Sequence, residues 1–110
     1  MLSKMKQYTT EIQTAKLIEL GFEKPKSIVG HDGYWGYDYA YSIGELISFC
    51  PPLINSTKFG TATINIFHDV INWVVGYDDV NGVMRLTTVD LELIDALCVM
   101  CRKLKAEGVI

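Results

Sequence analysis

Cys98-Val99-Met100-Cys101 carries the one redox connotation in this sequence. Two thiols at that spacing become reactive at a helix N-terminus, where free amides and the helix dipole lower the thiol pKa. Here the pair falls well inside an amphipathic stretch, with no histidine nearby. Its register sets both sulfurs on the apolar stripe, so packing cysteines are expected.

His31 and His68 are each followed by an aspartate, and Cys50 adds a third metal-ligand type. Structural zinc sites bring their ligands in close pairs, such as two cysteines a few residues apart. Only Cys98 and Cys101 have that spacing, and a mid-helix position serves it poorly. No metal site is expected, and both histidines read as loop or turn residues.

Nucleophilic or acid–base catalysis needs converging groups with shifted pKa values. Ser3, Ser27, Ser42, Ser48 and Ser56 lie in no nucleophile-elbow pattern. Asp78-Asp79 sits beside a turn signal, where acids are common. Gly30, Gly33 and Gly36 are followed by tyrosines or a histidine and not by the lysine and helix start of a phosphate loop. The sequence thus nominates no catalytic residue, no cofactor-binding residue and no cofactor.

The remaining chemistry is recognition. Tyr34, Trp35, Tyr37 and Tyr39 are the candidate partner-binding residues, with Tyr41 continuing the series. Such rings bury large area while keeping a polar tip, and they are enriched at protein contacts. Asp32 and Asp38 beside them would suit a basic partner. The competing explanation is a strand whose tyrosines pack under the first helix and shield a sheet edge. As nucleic-acid stackers these rings lack interleaved lysines and arginines.

Charge supports that exclusion. Residues 1–29 hold five lysines against three glutamates, and residues 96–110 hold Arg102, Lys103 and Lys105 against Glu107. The stretch between them holds nine acids against Lys58 and Arg85. An acidic centre repels phosphate backbones. A nucleic-acid-binding accessory role would need Lys4, Lys6, Lys103 and Lys105 to form one patch.

These residues must be positioned by a single domain, since 110 residues cannot be divided into two pieces that each bury a core. The composition is 49% hydrophobic, which excludes a disordered chain. No apolar run approaches the roughly 18 residues of a membrane span. Three cysteines are too few for a disulfide scaffold, and the first residues lack a secretory signal's apolar stretch. A reduced, cytoplasmic setting is expected, with no membrane contact.

Thr10 and Gln13 form a capping box opening a first helix, whose stripe reads Ile12, Ala15, Ile18 and Leu20. Gly21 would end it, and Phe22 would fold back onto it. Glycines make the first half of 30–41 loop-like, while Tyr37, Tyr39 and Tyr41 alternate onto one face of a strand. Ser42 and Glu45 cap a two-turn helix with Ile43, Leu46, Ile47 and Phe49 as its apolar residues, stopped by Pro51-Pro52.

Residues 60–77 fit a helix or a hairpin. Their β-branched and aromatic content favours two strands, about 61–67 and 71–79, turning near His68-Asp69. Asn81-Gly82 predicts a type I′ turn into a strand at about 83–87. A long amphipathic helix then starts from Thr87 or Thr88 and stops at Gly108. Its buried stripe reads Ile94, Leu97, Cys98, Cys101 and Leu104 or Lys105, widened by Leu91 and Leu93. The predicted class is α+β: an antiparallel sheet of three to four strands with helices packed on one face, in the order α-β-α-β-β-β-α.

The capped Tyr41-Ser42-Ile43-Gly44-Glu45-Leu46-Ile47 helix ends at prolines and is followed by the strand Asn72-Trp73-Val74-Val75-Gly76-Tyr77. The chain closes with Glu92-Leu93-Ile94-Asp95-Ala96-Leu97 and a Glu107-Gly108-Val109-Ile110 end. This arrangement resembles small uncharacterised proteins from genomes of gut anaerobes and their phages or mobile elements. The likeness is architectural, covers residues 8–22 and 41–110, and does not extend to the Gly/Tyr-rich insert at 30–39. It implies a cytoplasmic accessory protein with a partner-binding role.

The expectation is a non-enzymatic domain that binds protein, including itself as a homodimer, through the aromatic strand or an unpaired sheet edge. The alternative is a small-molecule or enzymatic pocket between helices and sheet, using His68 or Tyr41.

Overall fold

The computed structural model describes the backbone of residues 5–30 and 37–110, and the side chains of that set apart from 28–30, 37 and 38. The elements are α1 (Glu11–Glu19), β1 (Ser27–Gly30), β2 (Tyr37–Ala40), α2 (Ile43–Phe49), β3 (Leu53–Ser56), β4 (Gly60–His68), β5 (Trp73–Asp79), β6 (Met84–Asp90) and α3 (Leu93–Ala106). The fold is α+β, as its sequence indicates. An antiparallel sheet ordered β3-β4-β5-β6 carries the helices on one face, and β1 and β2 form a separate antiparallel pair. Strands β1 and β3 extend the order anticipated from the sequence.

Residues 60–77 are a hairpin. Ile64 pairs with Tyr77 and Ile66 with Val75, so alternate residues of β4 and β5 face the helices together. Leu86 and Thr88 of β6 join that face opposite Tyr77 and Val75. Onto it pack Leu93, Ile94, Leu97, Met100, Cys101 and Leu104 of α3, all buried. Leu46 and Cys50 at α2 and Leu17 of α1 complete the core. Both capping boxes form, Thr10 with Gln13 and Ser42 with Glu45. Phe22 N returns to Leu17 O and Val109 N to Leu104 O, closing α1 and α3 with Gly21 and Gly108 at positive φ.

Four sequence expectations are corrected. The buried face of α1 is Thr14 and Leu17, while Ile12 is 83% exposed. A nine-residue helix offers two apolar stripes, and Thr14 decides between them by bonding to Thr9, their hydroxyls 2.7 Å apart in a buried position.

Tyr39 and Tyr41 do not share an environment. Strand β2 ends at Ala40, leaving Tyr39 56% exposed and Tyr41 fully buried. Backbone bonds to the segment before α1 turn Tyr41 inward, with Thr9 N donating to Tyr41 O at 3.0 Å.

The β5–β6 turn is not type I′. Gly82 alone has positive φ there, at 78°, and Gly82 N donates to Asp79 O at 3.0 Å. This is a type I turn closed by a left-handed glycine, the three-residue hairpin loop. Asp79 Oδ1 fixes it by accepting from Asn81 N and Val83 N at 2.9 and 3.0 Å.

Neither Thr87 nor Thr88 caps the last helix. Pairing with β5 continues to Trp73 opposite Asp90, which holds both threonines in β6. Helix α3 begins after Glu92, which makes no side-chain cap, and Leu91 is left 66% exposed. Thr88 acts instead as a clamp, its buried hydroxyl donating to Ala96 O at 2.8 Å.

Candidate partner-binding surface

Of the four residues nominated for binding, Tyr34 and Trp35 lie outside the described residues, as does the side chain of Tyr37. His31, Asp32 and Lys4 also lie outside them. Tyr39 lines a surface groove with Thr14, Ile18, Lys24 and Pro25. This groove of about 410 Å³ runs along one flank of α1.

The opposite flank of α1 carries a second groove, about 500 Å³, against α3. Ile12, Ala15 and Leu17 of α1 meet Cys98 and Val99 of α3 there, with Lys16, Glu19 and Arg102 at its border. A further hollow lined by Leu20, Lys103 and Ala106 shares Lys16, Val99 and Arg102 with it. Together they form one trough along the α1–α3 seam. The trough exists because α1 seats only Thr14 and Leu17, which leaves its remaining surface uncovered.

The trough has an apolar floor and a mainly cationic rim. Lys16 lies 4.0 Å from Glu19, and both side chains are largely exposed, so that pair contributes little. Lys103 reaches back to the Thr87 carbonyl at 3.0 Å. Arg102 is exposed and makes no ion pair among the described residues.

Lys6 belongs elsewhere. Its ammonium pairs with Asp95 at 2.8 Å in the first turn of α3, whereas Lys103 and Lys105 lie in the last. A helix rises about 1.5 Å per residue, so the single patch of Lys6, Lys103 and Lys105 does not form. Lys16 and Arg102 are the residues that meet.

Several partly buried polar groups make contacts within the fold. Burial acts against the Asp95 carboxylate, yet bonds from Lys6 and from Gln13 Nε2, the latter at 2.6 Å, hold its pKa below the usual value. Glu45 is likewise held low against burial by Ser27, Lys26 N and Ser42. Burial pushes the Tyr41 phenol up to about 12, and its hydroxyl donates to Glu23 O. His68 rests edge-on against Trp73, ring centroids 4.9 Å apart, at the exposed end of β4. Neither Tyr41 nor His68 lines the grooves along α1.

Cys98 and Cys101 lie in the interior, 3% and 0% exposed. Burial raises the Cys98 thiol to about 12, which suits a packing residue. Among the described residues no three metal-ligating side chains converge, and no helix is long and apolar enough to cross a membrane.

No protein-family model, curated protein or solved structure matches this chain.

Sequence reasoning missed Ile12, Val99 and Arg102 as surface-forming residues. The available signal was that Thr14 and Leu17, three apart, suit a buried face as well as Ile12 and Ala15 do.

Proposed function

We propose that this domain works by binding another protein, and that the α1–α3 trough receives an amphipathic helix with an acidic polar face. The observation that carries this reading is Ile12, 83% exposed where it lines the trough beside Val99, Lys16 and Arg102. Helix-in-groove recognition uses such a floor for affinity and the flanking charges for register. Fully burying one such aliphatic side chain contributes about 1.5–3 kcal/mol. Micromolar affinity needs about 8 kcal/mol, so Ile12, Val99 and the cations must act together. A cytoplasmic accessory role agrees with the resemblance drawn from the sequence.

Tyr39, on the other flank of α1, extends the contact for a partner that wraps the helix. Of the aromatic residues nominated from sequence, Tyr39 is the one described at this surface.

A second copy of the chain is the other partner to consider, because the sheet face away from the helices carries exposed apolar side chains. Register places Phe67, Val74 and Val89 in one row across β4, β5 and β6. Phe67 and Val89 are 39% and 53% exposed, on either side of Val74 at 6%. Among the described residues, β6 is also an edge strand of the sheet.

Size-exclusion chromatography with light scattering separates the two. A dimer abolished by Val89→Lys would assign the sheet face to self-association. A monomer directs attention to the trough, where the test is affinity capture followed by titration of the purified partner. Ile12→Asp and Arg102→Glu should each weaken binding at least tenfold, while Val80→Asp, at a distant hairpin, should not. A partner indifferent to both trough substitutions would overturn the proposal.

A further inference from the structure

The sulfurs of Cys50 and Cys101 lie 3.8 Å apart in the interior, between residues 51 apart in sequence. Cys50 ends α2, at the point where Pro51 turns the chain into β3. Cys101 lies in the middle of α3, and its thiol also points at the Leu46 carbonyl, 3.6 Å away. The two sulfurs are in van der Waals contact across the α2–α3 interface, and a disulfide would draw them in to about 2.05 Å.

Cys98 is a poorer partner for Cys101. Residues three apart on a helix hold their Cβ atoms about 5–6 Å apart, beyond the span of an unstrained disulfide. Cys98 instead contributes to the trough between α1 and α3.

We infer that Cys50 and Cys101 form a latent covalent strap, a dithiol that a peroxide converts to an internal disulfide tying α2 to α3. The oxidant must be small, because Cys50 is 4% exposed and Cys101 is fully buried. Hydrogen peroxide meets that requirement. The Cys50 thiolate attacks one peroxide oxygen, the O–O bond breaks, and hydroxide leaves to yield the sulfenic acid. The Cys101 sulfur then attacks Cys50 Sγ, forming the S–S bond and expelling the sulfenic oxygen as water once the thiol proton is transferred. In sum, two thiols and one hydrogen peroxide give one disulfide and two waters.

Cys50 is the first to react on two grounds. It is the more accessible of the pair, and the contact with Cys101 lowers its thiol pKa, whereas Cys101 is pushed up by the same contact and by burial. The strap closes a long loop in the unfolded chain, so it should raise the melting temperature by on the order of 10 °C. This inference is independent of the trough and of any partner.

The test treats the folded, reduced protein with equimolar hydrogen peroxide, then alkylates the remaining thiols and maps the peptides. The expected product has lost two hydrogens, carries a Cys50–Cys101 link and retains one alkylatable thiol, Cys98. Cys98→Ala should give the same link, and Cys101→Ala should stop at the Cys50 sulfenic acid, trappable with dimedone. Because mapping uses the unsubstituted chain, the result does not depend on any variant folding. A link to Cys98, sulfinic acids without a link, three unreacted thiols, or a linked protein that melts lower would each overturn the inference.

Discussion

Thr9 and Tyr41 exchange two hydrogen bonds across a separation of 32 residues: Thr9 N donates to Tyr41 O at 3.0 Å, and Tyr41 N donates to Thr9 Oγ1 at 2.9 Å. Thr9 is 6% exposed, and its hydroxyl also bonds to Thr14 in α1. One threonine thus joins the segment before α1, the first turns of α1 and the entry to α2. Thr9→Val keeps the shape and removes the hydroxyl, leaving Tyr41 N–H buried without its acceptor. The expected cost is about 1–3 kcal/mol, read as a lower urea midpoint with an unchanged slope.

Ile12 and Leu17 lie on the same nine-residue helix and should respond very unequally to truncation. Leu17 is 1% exposed and belongs to the core cluster, so Leu17→Ala should cost about 2–5 kcal/mol. Ile12→Ala should stay within about 0.5 kcal/mol of the parent. Thermal melts of the two variants check the assignment of the helix face directly. Equal losses would mean that α1 is rotated from the orientation described.

Asp95 and Glu45 should make the fold sensitive to acid. Burial works against both carboxylates, but Lys6 and Gln13 for Asp95, and Ser27, Lys26 N and Ser42 for Glu45, hold the folded pKa below the unfolded value of roughly 4. Over the interval between those values the unfolded chain binds more protons. The contribution is therefore complete above the unfolded pKa and disappears as pH falls through the folded one. Urea midpoints from pH 7 to pH 3 should fall. Asp95→Asn should flatten part of that decline and cost about 1 kcal/mol at pH 7.

Gly76 of β5 cannot take a side chain without crowding its neighbours in β6. An added Cβ would stand 3.2 Å from the Leu86 carbonyl oxygen and 3.3 Å from Met84 Cε. The methionine end can move, whereas the carbonyl is held in the sheet. Gly76→Ala should destabilise by about 1–3 kcal/mol. Met84→Ala in the same chain should recover only part of it, as measured by a double-mutant cycle in urea.

What the sequence determined by itself was local. Thr10 with Gln13 and Ser42 with Glu45 mark helix starts because each box satisfies backbone donors within four residues. Pro51 stops α2, Gly108 stops α3, and the stripe from Ile94 to Leu104 is long enough to have only one apolar face. Helices, hairpin order and α+β class follow from such signals. Tertiary structure decided everything resting on which neighbour a residue meets. Short α1 has two plausible faces until Thr9 engages Thr14. Thr87 and Thr88 resemble helix caps until β5 pairs with them, and Tyr41 resembles its strand neighbours until Thr9 turns it inward. The trough at Ile12 and Arg102 and the contact of Cys50 with Cys101 each join segments separated by tens of residues. Local periodicity carries no information about such meetings, because they arise only when the sheet and helices pack.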